Sequence, residues 1–299
     1  LRFPSDIVQP EIAAPLNKRP RGKPSRNAEI TDSWGCTWQI TESDAALQLK
    51  DSPLAEKSKI AEFRPPMELL DPIRFSRVDK SCENSHRFVL ARSETRPFDR
   101  LRFLRGYDAA LMDLARGNKD ARNLLKMIHE FFCKEIEMWS NTEVDGVVLR
   151  DDWGTAESLI IAPEMWREIF KPLYREYCKI LHAKDKFVFF QSKGYIIDII
   201  SDLIKEGIDA IHMQLHLMDV EKLAKRFRGR VTFWGEIDPQ GVLRCENLAQ
   251  IREAVLKIRR ALDLGSGGVI AQCQWDPNVP VQIIAAVFEQ WLLPLPMHA

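Results

Sequence analysis

Short apolar runs that close on polar residues set the rhythm of the second half of the chain. They are Asp145 to Gly154, Phe187 to Gly194, Val231 to Gln240 and Gly268 to Trp275, with a further apolar run over 208–213. Runs without alternation are what strands buried on both faces require, so strands are expected at 145–150, 187–190, 208–213, 231–235 and 269–273. Segments of helical period separate them. After Pro163, Trp166, Phe170, Leu173, Tyr174, Tyr177 and Leu181 make one apolar stripe, and further helices are expected over 194–206, 219–227, 246–262 and 281–292. Consecutive strand–helix units imply a parallel sheet, and a closed barrel is favoured over an open doubly wound sheet. An open dinucleotide-binding sheet would carry a glycine-rich turn opening a helix; Gly265-Ser266-Gly267-Gly268 precedes a strand instead and reads as a helix stop.

The first half is less regular. Residues 1–30, rich in Pro, Arg and Lys, show neither period and read as an irregular arm before a single TIM-barrel domain over 31–299. Trp34 to Ile40 and Arg87 to Arg92 read as strands, and Pro65-Pro66 as the start of a helix from Met67 to Val78. From Phe98 to Asn141 the pattern is helical, punctuated at Gly106 and Gly117-Asn118. Leu124, Ile128, Phe131, Phe132, Ile136 and Trp139 recur there on one face.

Composition narrows the class. The 299 residues, 45% hydrophobic, suffice for one barrel-sized core. Forty-three basic residues balance forty-three acidic ones, which gives no field for nucleic acid or an anionic membrane. The one basic cluster, Lys18 to Arg26, reads as a solvated arm or strap. Six dispersed cysteines contain no Cys-x-x-Cys pair, so a reducing cytoplasm is the expected home. No apolar run is long enough to span a bilayer, and no signal-peptide pattern opens the chain. Because the chain opens on Leu1, a preceding segment, an N-terminal strand included, is also an expectation.

Several segments together resemble the uroporphyrinogen decarboxylase superfamily, which also contains cobalamin-dependent methyltransferases. They are Phe98 to Gly106 with Met112 to Leu114, Asp151-Asp152-Trp153-Gly154-Thr155 followed by Ile160 to Arg167 and Phe170-Lys171-Pro172, Phe233 to Gln240, and Gly267 to Cys273. The resemblance covers roughly 30–292 and implies a (β/α)8 TIM barrel, often a homodimer, with its site at the C-terminal mouth of the strands. The departures are chemical. In the methyltransferase branch a His and a Cys after the strand ending here at Phe190, with a later Cys, hold zinc. This chain has Gln191-Ser192-Lys193-Gly194, and only Cys273 remains. The decarboxylase branch's arginine-rich segment, which grips the carboxylates of the tetrapyrrole, has no match in residues 1–40.

The strand ends supply the candidate chemistry. Asp151 and Asp152 follow a buried strand, so one is expected in the mouth while the other caps or pairs with Arg150. Glu236 and Asp238, two apart, suit acid–base work, metal ligation or anchoring of their loop. Glu236 and Cys273, with His212 or His216, make an alternative zinc set. His212 otherwise reads as hydrogen-bonded scaffold, while His86, His129 and His182 read as surface or helix residues. Lys193 serves proton transfer, a Schiff base or carboxylate binding, or forms a salt bridge with a neighbouring acid. Trp153, Trp234 and Trp275 read as apolar walls or core, and Gln191, His212, Gln214, Gln240 and Gln272 as substrate-binding positions.

Three functions are consistent with these residues. The first is methyl transfer between a small methylated compound and a corrinoid protein, with Glu236 and Cys273 polarising the leaving atom and Asp152 as acid–base partner. The second is metal-free decarboxylation, with Lys193 or an arginine holding the carboxylate and an Asp delivering the proton. The third is a barrel that binds a ligand or partner without turnover.

Overall fold

The computed structural model describes residues 3–13, 28–40, 47–245, 247–275 and 278–295. The basic run Lys18 to Arg26 lies outside the described residues. In the first half of the chain come β1 (Ile7–Val8), β2 (Glu29–Thr31), β3 (Thr37–Ile40), β4 (Leu47–Asp51), α1 (Val78–Glu83), β5 (Phe88–Arg92), α2 (Pro97–Arg105), α3 (Tyr107–Ala115) and α4 (Lys119–Ser140). There follow β6 (Gly146–Arg150), α5 (Pro163–Ile169), α6 (Lys171–His182), β7 (Phe187–Gln191), α7 (Ile197–Glu206), β8 (Ala210–His212), α8 (Val220–Phe227), β9 (Thr232–Trp234), α9 (Leu248–Leu262), β10 (Val269–Ile270) and α10 (Val281–Leu292). The main sheet runs β1-β5-β6-β7-β8-β9-β10, and β2-β3-β4 form a separate antiparallel sheet. A doubly wound sheet reverses its strand order at a switch point. Strands that follow chain order and are linked by helices have the connectivity of a (β/α) barrel.

The chain divides into two compact units, with the cut inside β6 between Val147 and Val148. The unit of residues 7–147 and 179–186 packs around α4, whose Leu124, Ile128, Phe132 and Ile136 are fully buried. Trp34 meets Phe131 edge-on at 4.8 Å. The Arg100 guanidinium covers Trp34 at 4.5 Å and pairs with Asp32 at 3.2 Å. The Asp32 carboxylate also accepts from the Trp34 and Cys36 amides and from the Trp38 indole, so one acid closes this turn. Gly106 and Gly117 stop α2 and α3 in the left-handed region, at φ 84° and 62°.

Two expectations change in this unit. Ile7–Val8, inside the stretch without periodicity, pairs parallel with Phe88–Val89; two residues are too few to show a strand period. The helix expected over Met67 to Val78 is instead two 3-10 turns, Met67–Leu70 and Pro72–Phe75, before α1. Pro72 lacks an amide hydrogen and disfavours helical geometry at Asp71, which is extended at ψ 122°.

The other unit comprises residues 1–6, 148–178 and 187–299. Its helices α5, α6 and α7 are laced by an ion ladder. Arg167 and Lys171 hold Asp202 at 2.8 and 2.7 Å, while Lys171 and Arg175 hold Glu206 at 3.3 and 2.6 Å. Burial alone would raise the Asp202 carboxyl, but Lys171 and Arg167 outweigh it and hold it below its ordinary value.

The loops after β6 and β7 touch backbone to backbone at two glycines. A Cβ on Gly154 would overlap the main chain of Gly194 and Tyr195, and one on Gly194 would overlap that of Gly154. The Gly154 amide donates to the Lys193 carbonyl at 3.1 Å, and the Tyr195 amide to Thr155 at 2.8 Å. Gly194 and Gly265 share φ +78°, but a Cβ at Gly265 meets nothing within 4 Å. Gly265→Ala is therefore expected to cost about 1 kcal/mol, from backbone strain alone. Gly194→Ala adds overlap with main chain and is expected to cost ~3 kcal/mol or more. Urea unfolding of the two variants checks the difference.

Candidate active site

Register decides which residues share a face. Gln191 pairs with His212, His212 with Trp234, and Trp234 with Ile270. The Asp151 amide donates to the Gln191 carbonyl at 3.1 Å, which by the parallel ladder sets Arg150 beside Gln191. Neighbours in register point the same way, so Arg150, Gln191, His212, Trp234 and Ile270 form one row across five strands. The alternate residues Phe190, Ile211 and Phe233 are fully buried. Phe190 meets Tyr174 of α6 at 5.4 Å, which identifies their face as the helix side. The row containing Gln191, His212 and Trp234 thus faces away from the helices, into the strand layer where barrel chemistry is housed. Trp234 lies edge-on to Phe189 at 5.6 Å and to His212 at 5.5 Å, and both belong to this face.

This phase separates the two aspartates. Asp151 is fully buried on the helix side and accepts from the Tyr174 hydroxyl at 2.6 Å, which in turn accepts from the Trp153 indole at 3.0 Å. Burial, reinforced by Asp151, pushes the Tyr174 phenol well above its ordinary value, so it stays a donor. Trp153 is fully buried against Phe170 at 4.7 Å, and its amide donates to the Ser192 hydroxyl. Asp151 and Trp153 therefore sit in a buried network behind the strands. Asp152 accepts from the Lys193 amide at 3.1 Å and lies 3.6 Å from its ammonium. With the Lys193 side chain 71% exposed, this pair belongs to the solvent-facing rim, where a salt bridge is weak.

Two residues beyond Trp234 and Ile270 come Glu236 and Gln272. The Gly235 amide continues the ladder to the Ile270 carbonyl at 2.9 Å, so the alternation carries past Trp234 and sets Glu236 on its face. Glu236 is 3% exposed. Its Oε2, like Oε1 of Gln191 and of Gln272, is buried without a hydrogen-bond partner among the described residues. Burial, then the charge of Asp238, push the Glu236 carboxyl up to about 7 against the pull of Lys193. Gln214 accepts from the Gly194 amide at 2.8 Å and so steadies the glycine contact. Asp238 anchors its own loop, its Oδ1 accepting from the Gln240 and Gly241 amides at 3.0 Å. Gln240 is exposed. Trp275, 45% exposed, packs edge-on to Phe288 at 6.0 Å. Sequence reading passed over Arg150 as a site residue; counting alternation back from a fixed register is the signal that finds it.

The parallel strand order, the intervening helices and a polar row at the C-terminal strand ends define a (β/α)8-type barrel with a candidate site at its mouth. The chain belongs to the uroporphyrinogen decarboxylase family, whose model, described as uroporphyrinogen decarboxylase (URO-D), matches residues 88–291, more than half of the chain. Among solved structures, a methyltransferase from Methanosarcina mazei shares the fold. Its TM-score is 0.63 at 13% identity, with 86% of this chain and 75% of that chain covered. No curated protein matches the sequence. Among the described residues, no helix is long and apolar enough to cross a membrane.

The residues do not fit the zinc centre implied by the methyltransferase branch. Glu236 and Cys273 gather no third His, Cys, Asp or Glu ligand atom within 4.8 Å among the described residues. His216 is exposed on a 3-10 turn. Burial, then the charge of Glu236, push the Cys273 thiol up to about 12.

Two stability measurements test this geometry. Burial holds the Glu236 carboxyl up to about 7 in the folded chain, against its ordinary 4.5. Between those values the folded chain holds a proton that the unfolded chain has lost, so stability falls as pH rises through this window. The part due to Glu236 is on the order of 3 kcal/mol, and Glu236→Gln is expected to flatten the decline by that amount in denaturant unfolding at pH 5 and 7.5. Glu135, also pushed up to about 7 by burial, keeps its own share in both proteins. Tyr174→Phe removes a donor from the buried Asp151 and is expected to cost about 1–3 kcal/mol at neutral pH in the same assay.

Proposed function

We propose that this member of the superfamily is an enzyme that moves a methyl group from a small methylated compound to a corrinoid carried by a partner protein, with Glu236 as the acid. The observation that carries this reading is one carboxyl. Glu236 is buried on the face of the strand row, its Oε2 has no partner among the described residues, and its proton is held up to about pH 7. An acid with a pKa near working pH, lacking a structural partner, is poised to give its proton away. As the bond from methyl carbon to heteroatom breaks, its electron pair stays on the heteroatom, which takes the Glu236 proton and leaves a neutral product and a carboxylate. A reduced corrinoid on the partner would supply the electron pair that takes the methyl carbon. Trp234 and Phe189 provide an apolar wall, and burial of Glu236 keeps water from the proton. A protonated carboxyl thus takes the polarising role of the metal in the related branch.

Arg150, set by register in the row with Gln191 and His212, favours a second reading. A guanidinium there suits a substrate carboxylate, with Glu236 protonating the carbon left by carbon dioxide; this is the metal-free decarboxylase.

The test is methyl transfer from a panel of methylated thiols, amines and phenols to reduced cobalamin, followed by absorbance. Transfer is expected at low pH and should fall as pH rises through about 7, where Glu236 loses its proton. Glu236→Gln is expected to lose about 10²–10⁴-fold. Carbon dioxide release from carboxylated substrates without methyl transfer would select the second reading instead.

A further inference from the structure

The entry side of the last two strands carries a surface that the chemistry does not use. β9 begins at Thr232 and β10 at Val269, and the Phe233 amide donates to the Gly268 carbonyl at 2.9 Å. The turn after α8 and the loop after α9 therefore lie side by side. Between Glu221 and Glu236 the sequence holds five cations and no acid. Lys225, Arg226, Arg228 and Arg230 are exposed, and none of the four makes an ion pair among the described residues. The negative end of α8 accounts for Lys225 and Arg226 in its last turn, but not for Arg228 and Arg230 beyond it. Main chain holds those two in place. Arg228 donates to the Asp263 carbonyl and Arg230 to that of Arg226 at 3.3 Å, which leaves further N–H donors on each guanidinium. The Asp263 carboxylate is taken up by Arg259 at 3.6 Å and the Gly265 amide at 2.7 Å. Leu264 stands among these cations. It is 47% exposed, and a Cβ on Gly229, the residue between Arg228 and Arg230, would meet its Cδ1 at 3.8 Å. A Cβ at Gly265 or Gly267 would meet nothing within 4 Å, so the leucine is open to an incoming group.

We infer that this surface docks an acidic segment of another protein, one that sets carboxylates on Arg228 and Arg230 to either side of an apolar side chain packed on Leu264. An apolar centre within an arginine-bearing rim is the anatomy of a protein interface. Guanidiniums fixed by backbone carbonyls suit the bidentate grip of a carboxylate. Single-stranded nucleic acid is instead read on aromatic platforms along a basic groove, and the aromatic ring in this run, Phe227, is buried. An anionic bilayer attracts cations whatever their geometry, so tethered guanidiniums add nothing there. Arg230 lies before the first residue of β9 and Glu236 beyond its last. A partner seated here leaves the mouth open, and the inference does not rest on the reaction proposed above.

The probes are two fluorescein-labelled peptides, octaglutamate and the same peptide with one central leucine, titrated with the full chain at low salt and followed by fluorescence anisotropy. The leucine peptide is expected to bind about tenfold more tightly, the effect of one apolar side chain finding cover. Both should weaken as salt rises to about 0.3 M, where exposed charges are screened. Leu264→Ser should erase the difference between the peptides, and Arg228→Ala with Arg230→Ala should weaken both by about tenfold or more. Each variant should keep the wild-type melting profile by circular dichroism. Equal binding of the two peptides by the wild type, binding of neither, or a double variant that binds as the wild type does overturns the inference. So does tighter binding of an oligothymidylate or of phosphatidylserine vesicles, which would assign the surface to nucleic acid or to a membrane. The comparison of the two peptides is read on the wild-type chain and does not depend on either variant folding.

Discussion

Strand register governs the chemistry of this barrel. In a parallel sheet a shift of one residue exchanges the two faces, so the pairing of Gln191 with His212 and His212 with Trp234 decides whether polar groups meet a substrate or the backs of helices. The phase is fixed from outside the sheet. Tyr174 on α6 packs against Phe190 and holds the Asp151 carboxylate, committing both residues to the helix side. Gly154 and Gly194 then let the loops beyond β6 and β7 close on each other, since any side chain there would collide with backbone.

Once the phase is set, the division of labour among similar residues has a physical cause. Asp151 and Asp152 are neighbours in sequence, yet one is buried beneath Tyr174 and the other pairs with Lys193 at the rim. Glu236 and Asp238 are two apart, yet Asp238 is held by the amides of its own loop while the buried Oε2 of Glu236 has no hydrogen-bond partner among the described residues. Burial with hydrogen bonds makes a scaffold; burial without them makes a reagent.

Much of the fold is legible in the sequence because its signals are local. The 3.6-residue period and the glycines at 106 and 117 mark α2, α3 and α4, the capping Asp219 opens α8, and the bounds of α10 match the apolar run from Val281 to Leu292. The elements that escape are those set by tertiary pairing, such as the two-residue β1, or by a single proline, as at Pro72. The site is less legible for a related reason. A strand buried on both faces carries no alternation to reveal its phase, so Arg150, Asp151 and Asp152 look equivalent until the register is known. The carboxyl at 236 and the glutamines at 191 and 272 are visible as polar strand ends, but whether their oxygens find partners depends on distant parts of the chain.

The central claim is that Glu236 holds a proton near neutral pH while its Oε2 has no hydrogen-bond partner among the described residues. Infrared difference spectroscopy of the wild type against Glu236→Gln, titrated from mildly acid to mildly alkaline pH, reads that proton directly through the carbonyl stretch of a neutral carboxyl. A band that disappears through about pH 7 in the wild type and is missing in the variant is the predicted result. A Glu236 carboxyl already ionised through mildly acid pH, in the ordinary carboxylate range, would contradict it.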